Sequence, residues 1–187
     1  MSTRLNYFAY GSNMLTARLR ERVASARPLG VARLRGHVLV WNKRGRDGSG
    51  KCSVIASGRD EDLVWGVLFE LEDREKSALD RVEGLGCGYD EGTVEVMCNG
   101  VTVQALTYLA TDTDDSLRPY DWYKELVVAG AREHRLTHEY IALLESAESI
   151  PDSDRERARS NQHLLTASQP RAQNGRQSSP EKVDTTE

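Results

Sequence analysis

The sequence has few cysteines, no long apolar run and no excess of positive charge, and each absence excludes a class of protein. Its three cysteines, Cys52, Cys87 and Cys98, form no Cys-x-x-Cys pair. This argues against a disulfide framework or a structural zinc and fits a reducing compartment. No apolar run approaches the roughly 18 residues of a membrane helix, and the N-terminus has no apolar stretch of signal-peptide length. We therefore expect a cytoplasmic protein that does not enter a membrane.

The charge balance and the missing motifs exclude further classes. With 25 basic and 29 acidic residues, the net charge of −4 provides no electrostatic footprint for nucleic acid or for an anionic membrane. The chain has neither Gly-x-x-x-x-Gly-Lys-Ser/Thr nor Gly-x-Gly-x-x-Gly after a strand, so no nucleoside triphosphate or dinucleotide is implied. No serine stands in Gly-x-Ser-x-Gly, the usual motif of a serine nucleophile.

The histidines do not indicate a metal site. His134 and His138 are four residues apart and could share a metal on one continuous helix. The intervening Arg135-Leu136-Thr137 is typical of a turn between helices. We therefore expect solvent-facing loop histidines and no metal.

The most informative segment is Tyr7-Phe8-Ala9-Tyr10-Gly11-Ser12-Asn13-Met14. Its aromatic, alternating pattern predicts a strand that ends at Gly11 and leads into a charged helix over about residues 14–24. Unpaired N–H groups at the positive end of such a helix can bind a small carboxylate. Alternation along the strand would place Tyr7 and Tyr10 on opposite faces. The alternative is an ordinary buried strand whose Ser12 or Asn13 caps the helix.

The remaining pattern predicts an α+β fold. The predicted strands are 31–41 (one bent strand or two short ones), 52–56, 63–71, 92–98 and 101–110, and the predicted helices are 72–83, 120–134 and 137–147. Asn99-Gly100 between the last two strands is the strongest two-residue hairpin signal. Because helices and strands do not alternate regularly, we expect a small, mostly antiparallel, barrel-like sheet flanked by helices. This domain covers residues 1–150, and the polar composition of 151–187 predicts a disordered C-terminal tail.

Glu83 is the candidate for acid–base chemistry. It ends a predicted helix before Gly84, where the negative end of the helix dipole disfavours a carboxylate and raises its affinity for a proton. A carboxylate of this kind is a candidate general base. Most glutamates in the last turn of a helix are simply solvated, and the charge pattern alone does not separate the two interpretations.

Several short segments, in their order and spacing, resemble the gamma-glutamylcyclotransferase family, which is related to AIG2-like proteins. They are Tyr7–Met14, Val31–Leu34, Val64–Val67, Leu79-Asp80 with Glu83-Gly84 and Tyr89, Tyr108-Leu109, Tyr123-Lys124 and Gly130–His134. The resemblance covers roughly residues 5–147 and implies a small β-barrel with flanking helices. It also implies a reaction without a cofactor, in which the α-amine of a γ-glutamyl amide attacks its own γ-carbonyl. The products would be 5-oxoproline and a free amino acid or amine.

The resemblance also implies roles for individual residues. Glu83 would take a proton from the α-ammonium and return one to the leaving nitrogen. Backbone N–H groups near the Gly-Ser-Asn turn would hold the α-carboxylate or the developing oxyanion. The implied substrate-binding residues are Tyr7, Phe8, Ala9, Tyr10, Gly11, Ser12, Asn13 and Tyr123, with Tyr89 and Tyr108 as weaker candidates.

Three functions stay open at this point. The first is a gamma-glutamylcyclotransferase that acts on γ-glutamyl-amino acids. The second is a related cyclotransferase with another leaving group, such as a γ-glutamyl amine or a biosynthetic intermediate. The third is a non-catalytic module that binds γ-glutamyl metabolites, although such a module would not need the proton shuttle of Glu83. The expected partner is a small γ-glutamyl molecule, and the oligomeric state is left open, a homodimer included.

Overall fold

The computed structural model describes residues 3–167, which form seven strands and five helices. The strands are β1 (Arg4–Ala9), β2 (Arg27–Arg35), β3 (His37–Arg44), β4 (Gly50–Ala56), β5 (Leu63–Glu72), β6 (Tyr89–Cys98) and β7 (Val101–Ala110). The helices are α1 (Thr16–Arg22), α2 (Lys76–Glu83), α3 (Asp121–Glu133), α4 (His138–Glu145) and α5 (Arg155–Ala167). Over the described residues, no helix has the length and apolar character needed to cross a membrane.

Five strands close into a barrel in the order β1-β5-β2-β6-β7, and β3 and β4 form a separate two-stranded sheet. Within the barrel only the β1–β7 pair, at Tyr7 and Leu106, is parallel. Strand β5 pairs with both β1 and β2, and its consecutive Val67, Leu68 and Phe69 are all buried. Burial on both faces explains the continuous apolar run in this segment. The predicted α+β class and the mostly antiparallel barrel flanked by helices are confirmed.

The turns explain how the strands are divided. Asn99 and Gly100 have φ values of 50° and 80°, so the predicted β6–β7 hairpin forms with both central residues in the left-handed region. Gly36, with φ of 70°, separates β2 from β3. The segment 31–41 therefore belongs to two strands, and these lie in different sheets.

Two glycines allow close packing around the end of β1. A Cβ on Gly66 would lie 2.3 Å from the Ala9 carbonyl oxygen, and one on Gly130 would lie 2.5 Å from the Leu15 nitrogen. Neither distance is possible for a real side chain, so β5 and α3 approach the β1–α1 connection through bare backbone. This packing fixes the position of the Gly11–Asn13 turn.

Helix α5 corrects the expectation of disorder for part of the C-terminal segment. It packs on α3 and α1 and buries Leu164. Just before it, Asp152 accepts a hydrogen bond from Trp122 Nε1 at 2.8 Å. The helix also has a polar contact, from Arg18 to Asn161 at 3.1 Å, and its few apolar residues do not form the broad stripe that predicts a packed helix. Residues 168–187 lie outside the described residues, and the domain boundary at 150 stays a prediction.

Candidate active site

A small cavity lies where β1 and α2 both end. Seven of the predicted site residues line it: Tyr7, Tyr10, Gly11, Ser12, Asn13, Glu83 and Tyr123. Cys52 and the two weaker candidates, Tyr89 and Tyr108, complete its wall. Phe8 and Ala9 are buried but do not line the cavity, because the Phe8 ring packs inside the barrel against Gly66.

The expected alternation fails at the end of β1. The strand stops at Ala9, so Tyr7 and Tyr10 both line the cavity instead of lying on opposite faces. The Tyr10 hydroxyl donates a hydrogen bond to the Tyr108 carbonyl oxygen at 2.5 Å, which ties the turn to β7. The end of the strand therefore places two phenol rings in the cavity.

The Gly-Ser-Asn segment forms a separate 3-10 turn over Ser12–Met14, ahead of α1. The Met14 N–H donates to the Gly11 carbonyl oxygen at 2.9 Å. The preceding N–H groups of Ser12 and Asn13 have no backbone acceptor within residues 3–167. No side chain caps α1, so the alternative in which Ser12 or Asn13 is an N-cap is not observed.

Glu83 is the last residue of α2, and Gly84 ends the helix in the left-handed conformation with φ of 76°. The Glu83 Oε1 atom accepts hydrogen bonds from Asn13 Nδ2 at 2.9 Å and from Arg22 Nη1 at 2.8 Å. The Asn13 amide also donates to the Tyr7 hydroxyl at 2.9 Å. Within residues 3–167 nothing donates to the second carboxylate oxygen, Oε2. One oxygen is therefore held in place while the other is free to exchange a proton.

Arg18 and Arg22 are functional residues that the sequence reasoning missed. They lie four residues apart on α1, and Arg18 Nε donates to the Ser12 hydroxyl at 3.0 Å. Burial, with the nearby charge of Arg22, lowers the pKa of Arg18 to about 10, so the Arg18 guanidinium is charged at neutral pH. Arg22 forms an ion pair with Glu83 at 2.8 Å. The i,i+4 spacing directly behind the Gly-Ser-Asn turn was the available signal.

The remaining polar groups in the cavity are neutral hydrogen-bonding groups. Burial, reinforced by the charge of Glu83, raises the pKa of the cavity tyrosines, which are Tyr7, Tyr10, Tyr89, Tyr108 and Tyr123. Their hydroxyls are therefore protonated at neutral pH. Burial likewise raises the pKa of the Cys52 thiol to about 12, so it is not a thiolate nucleophile. The cavity thus combines one carboxylate with phenols and unpaired N–H groups, a set suited to acid–base chemistry on a polar substrate.

The histidine prediction is wrong for His134. Its Nε2 atom lies 3.1 Å from the Thr16 hydroxyl, its side chain is only 12% exposed, and its ring packs edge-on against Phe69. These contacts dock the end of α3 onto the start of α1. His138 begins α4 and is exposed, as expected. Over residues 3–167, no three His, Cys, Asp or Glu side chains are grouped so as to hold a metal ion.

Comparisons with known proteins agree on one relationship. Residues 63–144 match the AIG2-like family. The chain is 35% identical over 150 residues to a gamma-glutamylcyclotransferase of Bos taurus, which covers 76% of this chain and 78% of that protein. The Homo sapiens gamma-glutamylcyclotransferase is 35% identical over 149 residues, with the same coverage. A solved structure of a gamma-glutamyl cyclotransferase matches with a TM-score of 0.78 and 27% identity, over 88% of this chain and 99% of that one.

Proposed function

Because the chain belongs to the gamma-glutamylcyclotransferase family, we propose that it converts a small γ-glutamyl-amino acid to 5-oxoproline and releases the amino acid. The chain is an enzyme of this family, and Glu83 is its general base and acid. The observation that carries the proposal is the unpaired Oε2 atom of Glu83, on a side chain that lines the same cavity as the Gly11–Asn13 turn.

The reaction moves two protons from the α-nitrogen to the leaving nitrogen, and one carboxylate can carry them in turn. Glu83 takes a proton from the α-ammonium of the substrate, which frees the nitrogen lone pair. The lone pair attacks the γ-carbonyl carbon, a C–N bond forms, and the five-membered ring closes. The bond from this carbon to the leaving nitrogen then breaks as Glu83 returns the proton to that nitrogen. The ring nitrogen still carries one proton too many, and this proton passes through Glu83 to the released amine. The lactam is then neutral, the amino acid leaves as an ammonium, and Glu83 is again a carboxylate.

Positioning supplies much of the remaining catalysis. Holding the amine against the carbonyl can remove about 7–11 kcal/mol from the barrier of a well-oriented ring closure. The N–H groups of Ser12 and Asn13 hold the α-carboxylate or the oxyanion that develops on the carbonyl. The Tyr123 hydroxyl forms part of the opposite wall of the cavity. It accepts a hydrogen bond from the Cys52 N–H at 3.1 Å. Phe8 and Ala9 act only by carrying the turn.

The proposed location is the cytoplasm. The support is that all three cysteines are free, with Cys52 and Cys98 buried and Cys87 exposed. Free thiols fit a reducing compartment.

The test is incubation of the purified protein with a panel of γ-glutamyl compounds and detection of 5-oxoproline by mass spectrometry. The panel contains γ-glutamyl-L-alanine, other γ-glutamyl dipeptides, γ-glutamyl amines and glutathione. We expect 5-oxoproline from γ-glutamyl-L-alanine. Turnover of γ-glutamyl amines alone would favour the related cyclotransferase, and saturable binding without product from any compound would favour a binding module.

A further inference from the structure

Lys43 has a largely buried side chain, but its ammonium nitrogen stays accessible and forms no ion pair within the described chain. The residue lies near the end of β3 and is only 6% exposed. Its Nζ atom lies 4.4 Å from the centroid of the Tyr89 ring, a cation–π contact. Within residues 3–167 this ammonium forms no ion pair and donates no hydrogen bond. All three of its N–H donors are therefore available.

Lys51 provides a reference for this observation, because it lies directly opposite Lys43 in the β3–β4 pairing. The Lys51 ammonium donates to Asp47 and to Ser49 at 2.8 Å each. The Lys51 ammonium thus has partners inside the protein, whereas the Lys43 ammonium has none within residues 3–167. The free N–H donors of Lys43 can therefore bind an anion from outside the chain, such as a carboxylate of a bound substrate.

Lys43 lies next to the part of the cavity wall that Tyr89 forms. The Tyr89 ring beneath its ammonium lines the cavity. A Cβ on Gly88 would lie 3.1 Å from the Nζ atom, so the segment that follows Glu83 passes directly beside it. The charge of Glu83 also acts on the Lys43 ammonium. Because the N–H groups of Ser12 and Asn13 hold the glutamyl carboxylate, the leaving group is assigned to the Tyr89 side of the cavity.

We propose that Lys43 binds the carboxylate of the leaving amino acid and thereby makes the enzyme prefer γ-glutamyl-amino acids over γ-glutamyl amines. The inference rests on the proposed function and assigns a residue to its specificity. A carboxylate supplies the acceptors that the ammonium lacks, in a charge-assisted hydrogen bond.

The experiment compares γ-glutamyl-L-alanine with γ-glutamyl-ethylamine, two substrates that differ only by the carboxylate on the leaving group. The full chain and its Lys43→Met variant are assayed with both. We expect the ratio of the two kcat/KM values to fall about 10- to 100-fold in Lys43→Met, the range for a hydrogen bond to a charged group. Lys43→Arg keeps the charge and should retain most of the preference.

Arg44→Met is the matched control, because it removes the same charge from the next residue of β3. Arg44 is half-exposed and pairs with Asp114 at 2.9 Å at the surface, so its removal should leave the substrate ratio unchanged. Melting temperatures check that each variant folds.

The outcomes separate this inference from the proposed function. Equal loss on both substrates in Lys43→Met, or no loss on either, would overturn the role of Lys43. The role of Lys43 would also be overturned if the wild-type enzyme showed no preference for γ-glutamyl-L-alanine over γ-glutamyl-ethylamine. This outcome can be read even if the Lys43→Met variant does not fold. Failure of the wild type to form 5-oxoproline from either substrate would overturn the proposed function itself.

Discussion

Two carboxylates lie about one turn apart on α2, and the regions around them differ. Asp80 accepts a hydrogen bond from the Tyr108 hydroxyl at 2.6 Å, and both of its oxygens lie 3.0 Å from the Lys76 ammonium. Glu83 is held through Oε1 alone, by Asn13 and Arg22, and its Oε2 atom has no donor within residues 3–167. Both oxygens of the Asp80 carboxylate accept hydrogen bonds, whereas within residues 3–167 only one oxygen of the Glu83 carboxylate does.

The difference shows how a reactive group is recognised in a cavity rich in polar side chains. A carboxylate that accepts hydrogen bonds at both oxygens has a structural role, because protonating either oxygen would break an existing hydrogen bond. A carboxylate held by one oxygen keeps its orientation and can still exchange a proton at the other. Unused hydrogen-bonding capacity therefore distinguishes Glu83 from Asp80. The following predictions test this distinction.

The largest expected effect is that of Glu83→Gln. The amide keeps the shape of the side chain but cannot shuttle a proton, so kcat/KM for γ-glutamyl-L-alanine should fall about 10²–10⁴-fold. The matched variant Asp80→Asn should lose less than about tenfold, because its amide oxygen can still accept from Tyr108. Steady-state kinetics on both variants measures the difference. Equal losses would remove the distinction between the two carboxylates.

The next effect is that of Asn13→Ala. Asn13 donates to Glu83 and to Tyr7 and accepts from Arg22 at 2.6 Å. Without it the carboxylate is held only by Arg22, and we expect kcat/KM to fall about 10- to 100-fold. Asn6→Ala makes the same substitution on β1 and should leave the rate unchanged. Wild-type kinetics in Asn13→Ala would show that Glu83 does not need this support.

A smaller effect is expected when a hydroxyl is removed from each region. Tyr7 and Tyr108 pack edge to face at 5.9 Å, but Tyr7 serves the Glu83 region and Tyr108 serves Asp80. Tyr7→Phe should lower kcat/KM about 2- to 10-fold, the effect of one neutral hydrogen bond. Tyr108→Phe should instead act mainly on stability, by about 1 kcal/mol. Kinetics and denaturant unfolding on both variants test this, and the reverse pattern would contradict it.

The smallest effect is expected from the C-terminal helix. Arg18, which holds the Ser12 hydroxyl, also donates to Asn161 of α5 at 3.1 Å. Asn161→Ala removes one of these two contacts, so we expect kcat/KM to fall about twofold through a looser Arg18. Gln162→Ala changes an exposed neighbour and is the control. Identical kinetics in the two variants would separate α5 from the site.

Short motifs that favour a single backbone conformation were predictable from the sequence. Asn99-Gly100 requires left-handed backbone at both residues, and Gly84 ends α2 in the same conformation. The apolar run of β5 was also informative, because few surface elements tolerate it. By contrast, α5 packs through a few apolar residues, among them the buried Leu164, and through polar contacts such as Arg18 with Asn161, a pattern that apolar periodicity does not reveal.

The site was only partly predictable. Asn13 and Glu83 are 70 residues apart in the chain. From the sequence, only the family resemblance placed both in one site, and the folded barrel brings them into contact. Arg22 was missed because the sequence of a charged helix does not show which of its arginines face solvent and which face a buried carboxylate. Phe8 and Ala9 were wrongly expected in the cavity because the resemblance covers the whole Tyr7–Asn13 segment, whereas the Phe8 ring packs inside the barrel against Gly66.

The most direct test of the central claim measures substrate binding and product formation in the same sample of Glu83→Gln. Titration calorimetry with γ-glutamyl-L-alanine reports binding, and mass spectrometry of the same solution reports 5-oxoproline. We predict saturable binding with little or no 5-oxoproline, because the substrate is held but its amine keeps its proton. Formation of 5-oxoproline at the wild-type rate would contradict the assignment of Glu83 as the base.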